Sequence, residues 1–450
     1  MKIKQVVVLA GKDHIDCSIS SGLEQLGLQM CECFSPQDHK EDCLLVCDQD
    51  YADTSNGSAL IRQAMERGCA VLLHNSNCPS VLEEIRSTGD LSQKTRDMLE
   101  ARVLYRCLQK DIQRLASLQP EADGLPNYVA SAYEKVQDLR YGENWHQRAA
   151  LYTNDQGLGL PAARKLNGRE MSYNNMVDAE TVLEMLIDLS EYDGEACNRP
   201  LSVIVKHANP CGVAYGASLD EAFRLSFATD PKSAFGGVIG FNRMVDVKTA
   251  QCIGDSFVEV LLAPGYEAEA LRLLTEKKPN RRILDIGDLL QRKSELYRGY
   301  YKKTIFGGMM LQDFDTGDIK EWRVVTRRAP TDSEARALRF AWKIAKYVKS
   351  NALVYTTENQ TIGIGSGQVS RVDSARFGAE KAEEHGLSTN GTVAATDSFF
   401  PFRDGLDQAF LAGATAVIHP GGSIRDSEVI DAANEHDMAM VFTGMRHFRH

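Results

Sequence analysis

The sequence predicts an α/β fold, and three observations carry that reading. Short apolar runs alternate with helical patterns over the first part of the chain. A capped amphipathic helix begins near Thr331, and the chain closes on strand, glycine turn, helix, strand. In order, Val6–Leu9, Leu44–Cys47 and Ala70–Leu73 read as buried strands, with Ser21–Leu28 and Ser58–Arg67 as the helices between them. These predict a small α/β layer domain. A long helical stretch follows at Ser92–Leu118, and the turn-forming run Pro120–Pro126 reads as a linker.

Further along, Thr331 and Glu334 have the spacing of a capping box. The helix behind them puts Leu338, Ala341, Trp342, Ala345 and Val348 on one face and Arg336, Arg339, Lys343 and Lys346 on the other. The basic stripe reads as a solvated face, with anion recognition as the alternative. At the end of the chain, strand Thr415–His419, turn Pro420–Ser423, helix Asp426–Glu435 and strand Met438–Thr443 make a β-α-β unit. The N–H groups of its glycine turn are suited to an anion or a carbonyl oxygen.

The chain has 450 residues, 43% of them hydrophobic and 25% charged, the composition of a soluble globular protein of two or three domains. A net charge of −11 argues against nonspecific nucleic-acid binding but leaves room for a local cationic pocket. No apolar stretch is long enough to span a bilayer. The N-terminus reads as a first strand rather than a signal peptide, so the expected location is cytoplasmic. Of 11 cysteines, Cys17, Cys31, Cys33, Cys43, Cys47, Cys69, Cys78 and Cys107 precede residue 110, without C-x-x-C pairs. They read as reduced thiols used as small apolar residues, and Cys211 as packing.

The richest stretch runs from Ile204 to Gly212. An apolar strand, Leu201–Val205, delivers Lys206 and His207, and the backbone is expected to turn at Asn209-Pro210. Histidine moves protons near neutrality, and a neighbouring lysine supplies positive charge. Adjacent residues on a strand face opposite ways, so the two can serve one pocket only where the strand ends. Five other segments combine polar groups with glycines or aromatics: Arg140–Gln147, Ser172–Asn175, Asp230–Gly237, Thr361–Arg371 and Thr396–Gly405. The glycine-rich run from Thr361 matches neither a P-loop nor a dinucleotide fingerprint. Spacing by itself reaches an enzyme that binds an anionic, partly aromatic small molecule and moves protons.

Taken together, the segments at Arg140–Asn144, Leu166–Asn175, Ile204–Gly212, Thr229–Gly237, Lys349–Arg371, Asp397–Gly405, Pro420–Asp426 and Met445–His450 resemble a known family. It is the transformylase part of the bifunctional purine-biosynthesis family that pairs AICAR transformylase with IMP cyclohydrolase. The resemblance runs from about Leu139 to the last residue. It implies formyl transfer from 10-formyltetrahydrofolate, the co-substrate, to the 5-amino group of AICAR, giving FAICAR. It also implies two cytidine-deaminase-like α/β subdomains and a homodimer with sites near the interface. No metal is expected in the chemistry; a monovalent cation is left open.

Carried over position by position, the resemblance makes Lys206, His207 and Asn351 catalytic. It assigns Arg140, Tyr141, Asn175, Gly236, Glu259, Arg371, Phe399, Asp404 and Arg446 to AICAR, and Val372, Ser423 and Ile424 to the folate. The expected domains are 1–120, a linker at 121–138, and a transformylase region at 139–450 divided near 325. The N-terminal domain is shorter than the family's cyclohydrolase and lacks its expected motifs, so loss of ring closure is expected. Trp145, which departs from the family pattern, and the altered N-terminus motivate an alternative, a related formyltransferase or cyclising enzyme acting on another aminoimidazole-like compound. His207–Cys211 shares part of a zinc-deaminase signature, but Asn209 stands where the glutamate belongs and no second cysteine follows Cys211.

Overall fold

Runs of consecutive apolar residues form strands buried on both faces, as parallel sheets require. The computed structural model describes residues 3–9, 29–31, 43–47, 54–73, 78–119, 124–154, 157–192, 195–196, 198–276 and 278–450. The expected helix Ser21–Leu28, along with Cys17 and Cys33, lies outside the described residues. Two compact units are present, Met1–Tyr133 and Glu134–His450.

In the first unit, β1 (Gln5–Leu9), β2 (Gln29–Cys31), β3 (Cys43–Cys47) and β4 (Ala70–Leu73) form a parallel sheet in the order β2-β1-β3-β4. Helices α1 (Ser55–Glu66), α2 (Cys78–Thr88) and α3 (Gln93–Leu118) accompany it. Thr54 and Ser92 cap α1 and α3 by accepting backbone N–H groups. Cys43, Cys47, Cys69 and Cys107 are buried.

The second unit opens with a hairpin, β5 (Glu134–Leu139) and β6 (Ala149–Thr153). β5 occupies the end of the segment expected to be linker. Its charged, mostly exposed sequence lacks the apolar alternation that marks a strand. The rest of the unit is one topology laid down twice. The first copy runs β7 (Arg164–Asn167), α4 (Tyr173–Leu189), β10 (Leu201–Lys206), β11 (Asn209–Tyr215), α5 (Leu219–Thr229), β12 (Val238–Phe241), α7 (Val247–Ile253), β13 (Val260–Ala263), α8 (Ala268–Glu276), β14 (Arg282–Asp285). Short elements interrupt it: β8 (Glu191–Tyr192), β9 (Glu195–Ala196) and α6 (Pro231–Ala234). After α9 (Lys293–Leu296) and the hairpin of β15 (Tyr301–Ile305) and β16 (Gly308–Gln312), the second copy begins at β17 (Arg323–Val324). It continues through α10 (Asp332–Ala345), β18 (Leu353–Thr356), β19 (Thr361–Gly365), α11 (Arg371–Glu384), β20 (Val393–Thr396), α12 (Arg403–Leu411), β21 (Ala416–His419), α13 (Asp426–Glu435) and β22 (Ala439–Phe442).

The sheet orders, β11-β10-β12-β13-β14-β7 and β19-β18-β20-β21-β22-β17, match strand for strand in direction as well as position. α4 and α10 share one core cluster with residues from both sheets. The edge strands meet where Thr361 Oγ1 accepts the Val213 N–H at 2.9 Å and Tyr215 N–H donates to the Asn359 carbonyl at 2.8 Å.

Glycines make equivalent close approaches in the two copies. A Cβ on Gly212 would stand 1.8 Å from the Ser226 carbonyl oxygen of α5, and one on Gly365 would stand 1.8 Å from that of Ser374 on α11. The glycine-rich run from Thr361 therefore serves strand-to-helix packing.

The capping box forms as expected. Thr331 Oγ1 accepts the Glu334 N–H, and Glu334 accepts the Thr331 N–H. The basic stripe behind it is solvated only at its start: Arg336 is exposed and Arg339 half-buried, but the rest is interior. Lys343 and Lys346 are buried and converge on Asp188 at the end of α4, each 3.2 Å from a carboxylate oxygen, and the Tyr347 hydroxyl adds a bond at 3.0 Å. Because α10 packs against the other copy, the later part of its second face is also interior, which a one-helix wheel does not reveal. Arg336 pairs with Glu358, and Arg339 lies over the Trp322 ring. No described helix is long and apolar enough to cross a membrane.

Burial disfavours ionisation of Asp188, but the Lys346 and Lys343 ammoniums outweigh it and hold the pKa down to about 2. A depressed carboxylate stabilises the fold above its unfolded pKa and loses that contribution as pH falls through the folded value. Asp188 should therefore contribute about 2 kcal/mol above pH ~4, lost toward pH ~2. Urea unfolding across this range should show that portion of the acid slope missing in Asp188→Asn.

Candidate active site

The β10–β11 hairpin decides where Lys206 and His207 stand. Its register pairs Val205 with Pro210 and Lys206 with Asn209, leaving His207-Ala208 as a two-residue turn. The turn thus lies before Asn209-Pro210, which belong to the returning strand; Pro210 is tolerated there because β11 is an edge strand. Both turn residues are left-handed, with φ 55° at His207 and 56° at Ala208. Two-residue hairpin turns of this hand normally use asparagine, aspartate or glycine. Histidine and alanine here carry strain of about 1–3 kcal/mol each.

Asp178, buried on α4, offsets that strain. Its Oδ1 accepts the Ala208 N–H at 2.6 Å, and the His207 N–H is directed to the same carboxylate. Burial raises the Asp178 pKa, against the pull of these donors. The returning strand is pinned as well: Asn209 Oδ1 accepts the Lys349 N–H at 3.0 Å, tying the hairpin to the loop that carries Asn351.

Lys206 Nζ donates to the Phe235 carbonyl at 2.7 Å. Lys206 and His207 line a cavity of about 250 Å3 with Asp230, Ser233, Ser366 and Lys381, so both copies of the topology contribute to it. Asp230 caps α6 through the Ser233 N–H at 2.9 Å and reaches Lys381 at 3.2 Å. Cys211 also borders the cavity, and burial pushes its thiol up to about 12, which keeps it protonated and inert. Gly236, at φ 77°, donates its N–H to the Phe257 carbonyl.

Asn351 sits in a second cluster. Its Oδ1 accepts from Arg371 at 3.0 Å and its Nδ2 donates to the Gln368 carbonyl at 2.9 Å. Arg371, expected to meet the nucleotide directly, spends most of its fork inside the protein. It donates to Thr396 Oγ1 at 2.6 Å, the Phe399 carbonyl at 2.8 Å and Asp397 Oδ1 at 3.0 Å. Asp397 is fully buried and also accepts from the Ala352 N–H and the Ser350 hydroxyl. The nearby His419 is held neutral, its pKa lowered to about 3 by burial and then by Arg371. Its Nδ1 accepts the Gly421 N–H at 3.1 Å.

The other expected residues fall elsewhere. Arg140 and Tyr141 lie beside the start of α4: the Arg140 N–H donates to Met171, the Tyr173 N–H to Tyr141, and the Arg140 guanidinium stands over the Tyr141 ring. Asn175 is the N3 residue of the α4 capping box, its Oδ1 accepting the Ser172 N–H at 3.2 Å, which gives it a structural role. Glu259 forms an ion pair with buried Arg282 at 2.5 Å. Asp404 is exposed and accepts its neighbour Gly405's N–H, while Arg446 stacks on Phe448.

Val372 and Ser423 are half-buried and Ile424 is fully exposed. The N–H groups of the glycine turn are already taken: those of Gly422 and Ser423 donate to the Asp426 carboxylate. Trp145 is 85% exposed and does not line the cavity that holds Lys206 and His207. Among the described residues, no hydrogen bond or ion pair joins Arg140, Tyr141 or Arg446 to Lys206, His207 or Asn351. Sequence reasoning missed Asp178, Arg282 and the clamp role of Asp397. Each acts on a residue distant in sequence, so no local spacing signals it.

A family model described as AICARFT/IMPCHase bienzyme matches residues 67–381. The chain belongs to this family. It is 43% identical over 419 residues to the bifunctional purine biosynthesis protein PurH of Acidithiobacillus ferrooxidans, with 91% of this chain and 78% of that protein aligned. The family match begins inside the N-terminal unit and the relative is bifunctional, so the comparisons lend no support to the expected loss of ring closure.

The Asp397–Arg371 pair is a buried charge pair with neighbouring hydrogen bonds, and neutralising one member strands the other. Asp397→Asn should lower the unfolding free energy by about 3 kcal/mol in urea titrations.

Proposed function

We propose that the chain transfers the formyl group of 10-formyltetrahydrofolate to the 5-amino group of AICAR, giving FAICAR and tetrahydrofolate in purine biosynthesis. The observation that carries this reading is His207, fixed in a strained turn beside Lys206 at the cavity. Membership of the family and the bifunctional relative support it. The AICAR amine is conjugated with its ring and carboxamide, so it is a weak nucleophile that must lose a proton as it attacks. His207 takes that proton and returns one to the departing folate nitrogen. The formyl oxygen becomes negative in the tetrahedral intermediate. Lys206, which spends one N–H on the Phe235 carbonyl, has donors left for that oxyanion. Asn351, held by Arg371 and Gln368, orients the amine or formyl group.

We further propose that the working unit is a homodimer with shared sites. Support comes from Arg140, Tyr141 and Arg446, which, among the described residues, form no hydrogen bond or ion pair with Lys206, His207 or Asn351. Sedimentation of the purified protein should give twice the chain mass; a monomer with full turnover would contradict this.

Purified protein given AICAR and 10-formyltetrahydrofolate should release tetrahydrofolate and FAICAR, and folded protein without turnover would end the reading. FAICAR alone, assayed for IMP, decides whether the N-terminal unit retains ring closure. His207→Ala should cut kcat by at least about 100-fold, the scale of acid–base catalysis, while calorimetry shows AICAR still bound. Near-normal turnover in this variant would place the proton shuttle elsewhere.

A further inference from the structure

The His207-Ala208 turn holds a conformation its own residues disfavour, so something outside the turn must hold it. Its outside support is Asp178, thirty residues away in sequence and on the helix behind the sheet. The carboxylate accepts the Ala208 N–H at 2.6 Å, with the His207 N–H directed to the same group. A hydrogen bond to an ionised acceptor is both stronger and more directional than a neutral one. Asp178 is itself buried, so it cannot swing away to water without losing its packing.

We propose that Asp178 is a positioning residue for the transfer step: by fixing the left-handed His207-Ala208 turn it sets where the His207 imidazole stands, without touching substrate. The inference rests on His207 being the proton shuttle. Without the carboxylate, the two N–H groups lose their acceptor and the turn relaxes toward right-handed φ values. The imidazole then leaves the line between the attacking amine and the folate nitrogen. The substrate's own contacts are not altered by this, so the effect falls on kcat rather than on AICAR binding.

The test uses the full-length protein with AICAR and 10-formyltetrahydrofolate. Asp178→Ala should lower kcat by about 100-fold, the scale of an ångström-sized misplacement, with KM for AICAR within about threefold of wild type. Adding Ala208→Gly should restore about tenfold of the loss, because glycine adopts positive φ without help. A purely structural role for Asp178 would lower the folded fraction, and the glycine would leave kcat where it was. Turnover of Asp178→Ala within threefold of wild type overturns the proposal, as does a loss that Ala208→Gly fails to relieve. Should Asp178→Ala not fold, Asp178→Asn carries the same comparison: a kcat loss relieved by Ala208→Gly supports the proposal, and no relief overturns it. His207→Ala, measured alongside, separates the two readings. If it keeps turnover, the shuttle assignment fails; if it loses turnover while Asp178→Ala does not, only the positioning role fails.

Discussion

The seam between β11 and β19 is the constraint on which the site depends. These are the outer strands of two separate sheets, and each would otherwise present unpaired backbone groups. Beside the Tyr215–Asn359 backbone bond, the Thr361 hydroxyl bridges the gap and also lies 2.9 Å from the Thr229 hydroxyl, while Thr229 bonds the Thr361 carbonyl at 2.6 Å. Gly212 and Gly365 let α5 and α11 settle directly onto the same two strands. With the seam closed, the hairpin bearing Lys206 and His207 reaches the loop bearing Asn351, and the Asn209–Lys349 bond records that meeting. Neither copy of the topology holds both groups.

The two copies of the topology share a frame but differ in chemistry. In the first copy Asn242 follows β12 and accepts the Leu201 N–H at 2.9 Å. Asp397 follows β20 at the matching place and accepts the Ala352 N–H in the same manner. A neutral amide suffices to tie the strand ends together. The carboxylate does this and also holds Arg371, whose fork in turn fixes Asn351. One change of charge at an equivalent position thus turns a strand tie into a support for a polar site.

How much of this the sequence revealed depends on the distance over which each residue acts. The strands Leu44–Cys47 and Ala70–Leu73, the capping box at Thr331 and the terminal β-α-β unit rest on local patterns, and they appear within a few residues of where those patterns put them. The charged strand β5 carries no apolar signal and read as linker. Lys343 and Lys346 looked solvated because a helix wheel knows nothing of the second helix that buries them. Within the site, Lys206 and His207 could be named from their place at a strand end, but the turn residue was misjudged by two positions because proline and asparagine are the stronger turn formers. Asp178, Arg282 and the internal commitments of Arg371 depend on contacts across tens to more than a hundred residues, which one sequence without relatives does not encode in readable form.

The left-handed backbone at residue 207 sets stability and activity against each other. Selection for a robust fold alone would put glycine or asparagine there, since either fits the turn more comfortably than an imidazole-bearing residue. Histidine at that place means the native state gives up part of its thermodynamic margin where the chemistry is done. Substitutions drifting toward the better turn former would yield a sturdier, silent protein, so a relative of this chain with a non-histidine residue there is a candidate for a scaffold that has left catalysis behind.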